Sequence, residues 1–303
     1  MSLSVSWECM KPGTFEYADP RTLDELLAIL RDRGDDAKIL AGGQSLVPLL
    51  NMRLAMPEVV VDINRVAGQD DLKPGDRLSI GMLVRQETVE RDDRLDKDFS
   101  LLRESIGWVG HPQIRTRGTV LGSLAHADPA AELPVVFQAL EGEMEIASAS
   151  GTRMVPAEAF FTHIMTTAIK PDEVLVRAHL NSPPPNTGTA FLEIARRHGD
   201  FAVASVAVSL TVDDGAITSA RIAMGGVGTT PLRARQAEEF LVGHAAELDA
   251  FAQAGRIAAG EAEPASDIHG SAEYRRELIR VLTRRALEKA AARLAGYAPG
   301  PDA

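Results

Sequence analysis

Residues 41 to 46, Ala41-Gly42-Gly43-Gln44-Ser45-Leu46, are the first stretch whose residue types could do chemistry. An apolar run (Ala37, Ile39, Leu40) breaks there into two glycines and then into the helix-like spacing Leu46, Leu49, Leu50. The glycines let the backbone turn without a Cβ in the way, and Ser45 suits the N-cap of the helix that follows. Free amides and the positive end of that helix then point at one spot, which suits a phosphate or diphosphate. By itself a glycine pair between strand and helix also reads as a plain turn. Residues 114 to 134 repeat the design, with Gly118 and Gly122 in a polar turn ahead of Asp128-Pro129. That dipeptide predicts a helix start, because aspartate caps free amides and proline is favoured at the first helical position. Two such loops can hold one diphosphate from two sides.

The elements that must position these loops follow from periodicity. Phe15-Glu16-Tyr17 alternates like a short strand, and Thr22-Leu23-Asp24-Glu25 matches a capping box ahead of Leu26, Leu27 and Leu30. With the buried-strand run Val59-Val60-Val61-Asp62-Ile63, residues 14 to 63 read as a β-α-β-α-β unit. Leu78 to Met82 is a further strand, Phe99 to Gly107 a helix, residues 143–149 and 151–155 a hairpin about Ser150-Gly151, and Asp172 to Val176 the start of another strand. Pro183-Pro184-Pro185 marks the linker. Beyond it three strands (189–197, 202–212, 216–224), with a tight turn at Asp213-Asp214-Gly215, precede helices over 234–241, 245–259 and 273–294. Tyr274, Leu278, Val281, Leu282 and Leu287 form the apolar face of the last helix.

Composition narrows the function classes. Thirty-two basic against 43 acidic residues give a net charge of -11 with no basic face, which argues against nucleic acid or anionic membrane as partners. No signal peptide or membrane span is visible, so a cytoplasmic location is expected. Cys9 is the single cysteine. Iron-sulfur clusters need several, so any such centre belongs on another chain. No His-x-x-x-His or His-Glu-x-x-His spacing supports a metal site here, and neither Gly-x-Ser-x-Gly, Gly-x-Gly-x-x-Gly nor a Walker loop occurs. Arg196-Arg197, before His198-Gly199-Asp200, reads either as a solvated loop or as a contact for phosphates or a partner.

The two glycine loops, together with Lys11-Pro12, Phe15-Glu16-Tyr17, Pro20, Gly199-Asp200-Phe201-Ala202 and Gly225-Gly226-Val227-Gly228-Thr229-Thr230-Pro231, resemble the FAD-binding medium subunit of the molybdenum hydroxylases. This group includes carbon monoxide dehydrogenase and the xanthine dehydrogenase flavin domain. The resemblance implies an α+β chain: a two-subdomain FAD-binding fold of the vanillyl-alcohol oxidase or PCMH type over residues 11–183 (subdomains 11–63 and 64–183), then a C-terminal α+β domain over 188–296 with a three-stranded antiparallel sheet and helices. Tails would occupy 1–10 and 297–303.

It also implies cofactor contacts. Ala41, Gly42, Gly43, Gln44, Ser45 and Leu46 would lie on the diphosphate from one side and Thr119, Gly122 and Ser123 from the other. Asp128 belongs to the same segment, either as a cap alone or as part of the site. His126 and Glu132 would meet adenosine or ribityl hydroxyls, although helix logic alone leaves Glu132 as a first-turn carboxylate. Leu175 and Phe201 would touch the flavin ring. Leu121 replaces the first glycine of a common Gly-Gly pair, so its side chain is expected to point away from the cofactor and Leu121→Gly to be mild; Thr116 replaces a common asparagine. The implied complex pairs this FAD chain with an iron-sulfur small subunit and a molybdopterin-bound molybdenum large subunit, as a dimer of heterotrimers. A stand-alone FAD-dependent reductase of the same flavin fold is the alternative, and a phosphate-binding module without redox chemistry a third.

Overall fold

The computed structural model describes residues 11–294. Both expected tails, Cys9 and the last two residues of the expected C-terminal domain lie outside the described residues. Among the described residues the first elements are β1 (Glu16–Ala18), α1 (Leu23–Arg33), β2 (Ala37–Leu40), α2 (Leu46–Asn51) and β3 (Val59–Asp62). The three strands are parallel in the order β1-β3-β2, the β-α-β-α-β unit expected from periodicity. Val59, Val60 and Val61 in the central strand are buried on both faces, which is why that strand is a continuous apolar run rather than an alternating one. Thr22 caps α1 by accepting from the Glu25 amide, and the Glu25 carboxylate accepts from the Arg21 amide.

The next unit comprises β4 (Leu72–Lys73), β5 (Arg77–Gly81), α3 (Gln86–Glu90), α4 (Ser100–Ile106), α5 (Pro112–Arg115), α6 (Val120–His126), α7 (Glu132–Ala139), β6 (Glu143–Ser148), β7 (Gly151–Pro156), α8 (Ala157–Phe160), β8 (Phe161–His163), β9 (Thr166–Thr167) and β10 (Val174–Asn181). Its main sheet is antiparallel, ordered β4-β5-β10-β6-β7. One apolar core joins it to the parallel unit, from Leu26, Val59 and Val61 through Leu78 and Ile80 to Leu121, Phe137 and Leu180.

The proline run leads through Asn186 (φ 57°) into β11 (Thr187–Ile194), β12 (Ala204–Asp213), β13 (Ala216–Gly225), β14 (Leu232–Arg233), α9 (Arg235–Leu241), α10 (Leu248–Glu261) and α11 (Ala272–Ala292). The sheet is antiparallel with four strands rather than three, because two residues after Pro231 pair with β13. A two-residue strand carries no readable period. Asp214 and Gly215 both have positive φ (49° and 79°), the backbone a two-residue hairpin turn requires.

One face of this sheet, with Val206, Val208, Ile222 and Met224, packs on the helices; the other sends Phe191, Ala207 and Ala223 into the N-terminal core. Along α11 the buried residues are Arg275, Ile279, Leu282, Thr283, Ala286, Leu287, Ala290 and Ala291, while Tyr274 is 48% exposed, so the face expected from the large apolar residues is rotated. A Cβ at Gly188 would lie 1.9 Å from the Ala290 carbonyl oxygen and one at Gly255 2.4 Å from that of Arg280, so glycines on both neighbours let the helix backbone come close. Among the described residues no helix is long and apolar enough to cross a membrane.

Candidate functional site

The two glycine loops meet backbone to backbone. A Cβ on Gly42 would sit 2.5 Å from the Arg117 carbonyl oxygen and 2.8 Å from Gly118 Cα; one on Gly122 would sit 2.5 Å from Thr119 Oγ1 and 3.8 Å from Ala41 Cβ. Gly43 adopts φ 74°, which allows the chain to leave β2 and enter α2 within a few residues. Gln44 folds back, its amide nitrogen donating to the Gly42 carbonyl. Ser45 stands before α2 as expected but does not cap it. Its backbone is already helical (φ -103°, ψ -45°) and its hydroxyl makes no capping bond, so the turn is closed by the Val47 amide on the Gly43 carbonyl at 3.1 Å. In the second loop Thr119 is the cap, accepting from the Gly122 amide at 3.0 Å, and Ser123 follows half-buried in the first turn of α6.

Two residues that sequence spacing did not mark hold these loops together. Asn64 donates to the Ala41 carbonyl at 2.8 Å and to Asp62 at 2.6 Å. Arg85 donates to Asn64 Oδ1 and to the Arg117 carbonyl, each at 2.5 Å. Its guanidinium is half-buried; burial and the neighbouring Arg117 pull its pKa below the ordinary arginine value, against Asp62, which raises it. Two glycine loops in close contact, with the guanidinium of Arg85 and the charge of Arg117 beside them, are suited to an anionic ligand such as a diphosphate.

Asp128-Pro129 does not start a helix. Asp128 Oδ1 takes the Ala130 amide at 2.9 Å, while the Pro129 carbonyl accepts from the Gly226 amide of the C-terminal unit at 2.8 Å. That bond draws the carbonyl out of any helical ladder, and α7 begins at Glu132 instead. Glu132 is only 4% exposed, and burial, reinforced by Asp128, pushes its carboxyl up to about 7. Glu193 on β11, 6% exposed, is pushed by burial and then by Glu132 up to about 8.

The remaining expected contacts are dispersed. His126 lies half-buried in the last turn of α6, and Leu175 is a core residue of β10. Phe201 is 58% exposed on the β11–β12 connection, whose His198 packs edge-on against Trp108 at 5.9 Å. Elsewhere a cleft of about 650 Å³, lined by Lys97, Arg103, Glu104 and Arg293 among others, includes no loop residue. Several of its charges are paired, Arg293 on Glu104, which also takes Lys289, and Arg103 on Asp96.

The raised carboxyls predict how the cofactor-free chain responds to pH. Above about 4.5 the unfolded chain releases protons that folded Glu132 and Glu193 retain, so their contribution to stability is complete at low pH and is lost as pH rises through about 7 to 8. Each can contribute a slope of up to ~1.4 kcal/mol per pH unit. His179 acts oppositely, because burial lowers its pKa. Thermal melts from pH 5 to 8.5 should therefore show a shallower decline for Glu193→Gln than for the parent chain; equal slopes would remove Glu193 from this account.

Two glycine loops in contact, on a parallel βα unit joined to an antiparallel sheet and packed against a C-terminal α+β unit, are the build of a two-domain flavoprotein. Residues 13–182 match the family described as FAD binding domain in molybdopterin dehydrogenase, and residues 189–290 the CO dehydrogenase flavoprotein C-terminal domain. The chain is 41% identical to the 6-hydroxypseudooxynicotine dehydrogenase complex subunit alpha of Paenarthrobacter nicotinovorans, over 93% of this chain and 96% of that one. It is 36% identical to the carbon monoxide dehydrogenase medium chain of Afipia carboxidovorans, over 94% and 99% respectively. The solved carbon monoxide dehydrogenase of Hydrogenophaga pseudoflava superposes with a TM-score of 0.92 at 35% identity, covering 94% of this chain and all of the matched one. The chain belongs to the family of FAD-binding medium subunits of the molybdenum hydroxylases.

Proposed function

We propose that this chain is the electron-transfer subunit of a molybdenum-containing hydroxylase or dehydrogenase. Electrons reach its FAD from iron-sulfur clusters on a small subunit, fed by a molybdenum centre on a large one, and leave to an external acceptor. The assembly is a cytoplasmic dimer of heterotrimers, and the chain divides into domains 11–183 and 188–296. The observation that carries this reading is the pairing of two glycine loops in close contact with a sequence holding one cysteine, too few for any iron-sulfur cluster. Relatives at 41% and 36% identity are named for 6-hydroxypseudooxynicotine and carbon monoxide, substrates with nothing in common. The part these chains share is then electron handling, with substrate choice made elsewhere.

FAD supplies the exchange between single electrons and pairs. The protein's own work is to bind and orient it: amides of Gly42 and Gly43 toward the phosphates with the 118–123 loop against them, Arg85 and Arg117 as countercharge, Glu132 toward hydroxyls, Phe201 toward the ring. The full chain purified alone should show flavin absorbance and no stoichiometric iron or molybdenum, and its flavin should bleach with the hydroxylase substrate only when the partner chains are added. Bleaching by a dedicated substrate without partners would overturn the proposal in favour of a stand-alone reductase.

A further inference from the structure

Glu193 on β11, Ser205 on β12 and Gly225 on β13 are successive cross-strand neighbours, on the sheet face that turns toward α7. Glu193 and Ser205 are buried, and neither carboxylate oxygen of Glu193, nor the Ser205 hydroxyl, has a hydrogen-bonding partner among the described residues. The row ends in a glycine for lack of room: a Cβ on Gly225 would lie 2.5 Å from Ser205 Oγ and 2.6 Å from Val135 Cγ2. Glu132, at the start of α7, is close enough for its charge to act on Glu193. A buried carboxyl with both oxygens unpaired is strongly unfavourable, and a hydrophobic residue of similar volume would relieve it. Its retention calls for a ligand that brings donors.

Two neighbouring carboxyls repel phosphate and accept from hydroxyl or imide N–H groups. Both kinds of donor occur on the flavin half of FAD. The following connection carries the exposed ring of Phe201, two residues before Val203, whose amide bonds the Ile194 carbonyl next to Glu193. We propose that Glu193, with Ser205 and Glu132, is the acceptor end of the FAD site and takes the ribityl hydroxyls and flavin imide, so that the C-terminal domain binds the cofactor directly. This rests on the reading of the chain as an FAD carrier. Burial keeps Glu193 and Glu132 protonated up to about 8 and about 7, and the charges acting on the pair are their own and that of Asp128. Donors favour the ionised forms, so FAD binding releases protons and tightens as pH rises from 6 to 8.5.

The test uses the full chain stripped of FAD, titrated by fluorescence with FAD and separately with ADP. Glu193→Leu should bind FAD about 10- to 100-fold more weakly, as expected for losing bonds to a charged group. Its ADP affinity should stay within about twofold of the parent, its apo melting temperature should be unchanged or higher, and the pH dependence of FAD binding should flatten. Glu193→Gln keeps an acceptor at the same volume and should fall between. Unchanged FAD affinity with a lower apo melting temperature would make Glu193 a structural residue and overturn the inference, as would equal losses for FAD and ADP. A parent chain that binds no FAD at all would instead overturn the functional reading beneath it.

Discussion

Gly42→Ala should yield a folded chain that comes off the column largely free of FAD. The added Cβ would meet backbone, 2.5 Å from the Arg117 carbonyl oxygen and 2.8 Å from Gly118 Cα, and backbone cannot rotate aside as a side chain can. The second loop has little freedom to retreat. Its Arg117 carbonyl is held by Arg85, its Gly118 carbonyl by the Gln86 amide and its Gly118 amide by the Ile114 carbonyl. The loops must therefore part, and amides that converge on one diphosphate no longer do. Losing even one or two bonds to a charged group, at ~1.5 to 3 kcal/mol each, weakens binding by ~100-fold. Flavin-to-protein ratio and a direct FAD titration measure this. A variant that retains FAD at the parental ratio would show that the loops do not close on the cofactor.

The second large effect separates neighbours in one helix. Leu121 does point away from the loop, but it points into the main core and is only 2% exposed. Leu121→Gly is therefore not mild, as the missing glycine pair suggests, but destabilising by ~4 kcal/mol or more, from a cavity term of ~3 to 5 and a helix penalty near 1. That is a large share of the ~5 to 15 kcal/mol that keeps a domain folded. Gly122→Val acts on the other side of the helix. Its Cβ would displace the Thr119 hydroxyl, removing a cap worth ~1 kcal/mol, and would crowd Ala41 where the loops touch. Denaturant titrations and FAD titrations on both variants should show Leu121→Gly failing mainly in stability and Gly122→Val mainly in FAD retention. The reverse pattern would mean that the loop faces have been assigned backwards.

What could be read in the sequence was whatever depends on neighbours in the chain. The glycines at 42, 43 and 122, the strand-to-helix switch around them, the Thr22 cap and the Asp214-Gly215 turn are all local, and each stands where periodicity and turn chemistry put it. Features that depend on distant partners were not legible. Asp128-Pro129 has the composition of a helix start, yet a carbonyl taken by Gly226 keeps it a turn. Ser45 has the composition of a cap and the wrong backbone angles. Asn64 and Arg85 join segments 21 and 32 residues apart and belong to no motif. Glu193 sits in an ordinary strand alternation, and only the packing of that strand against α7 makes it buried and unpartnered. Tyr274 is exposed because the buried stripe of α11 runs through Arg275, Ile279, Leu282 and Ala286, and a periodicity argument that follows the large apolar residues does not weigh the alanines of that stripe.

The bond from the Gly226 amide to the Pro129 carbonyl also bears on when the holoprotein can arise during synthesis. Both glycine loops, and the Arg85 and Asn64 side chains that join them, emerge from the ribosome before the proline run. The turn leading into Glu132 is pinned only once β13 has followed and Gly226 is available. At ~5 to 20 residues per second the roughly hundred residues between the second loop and Gly226 take about 5 to 20 seconds, during which a nascent chain has both loops but not that bond. A chain interrupted between the proline run and Gly226 would carry both loops while the Pro129 carbonyl lacked its Gly226 donor.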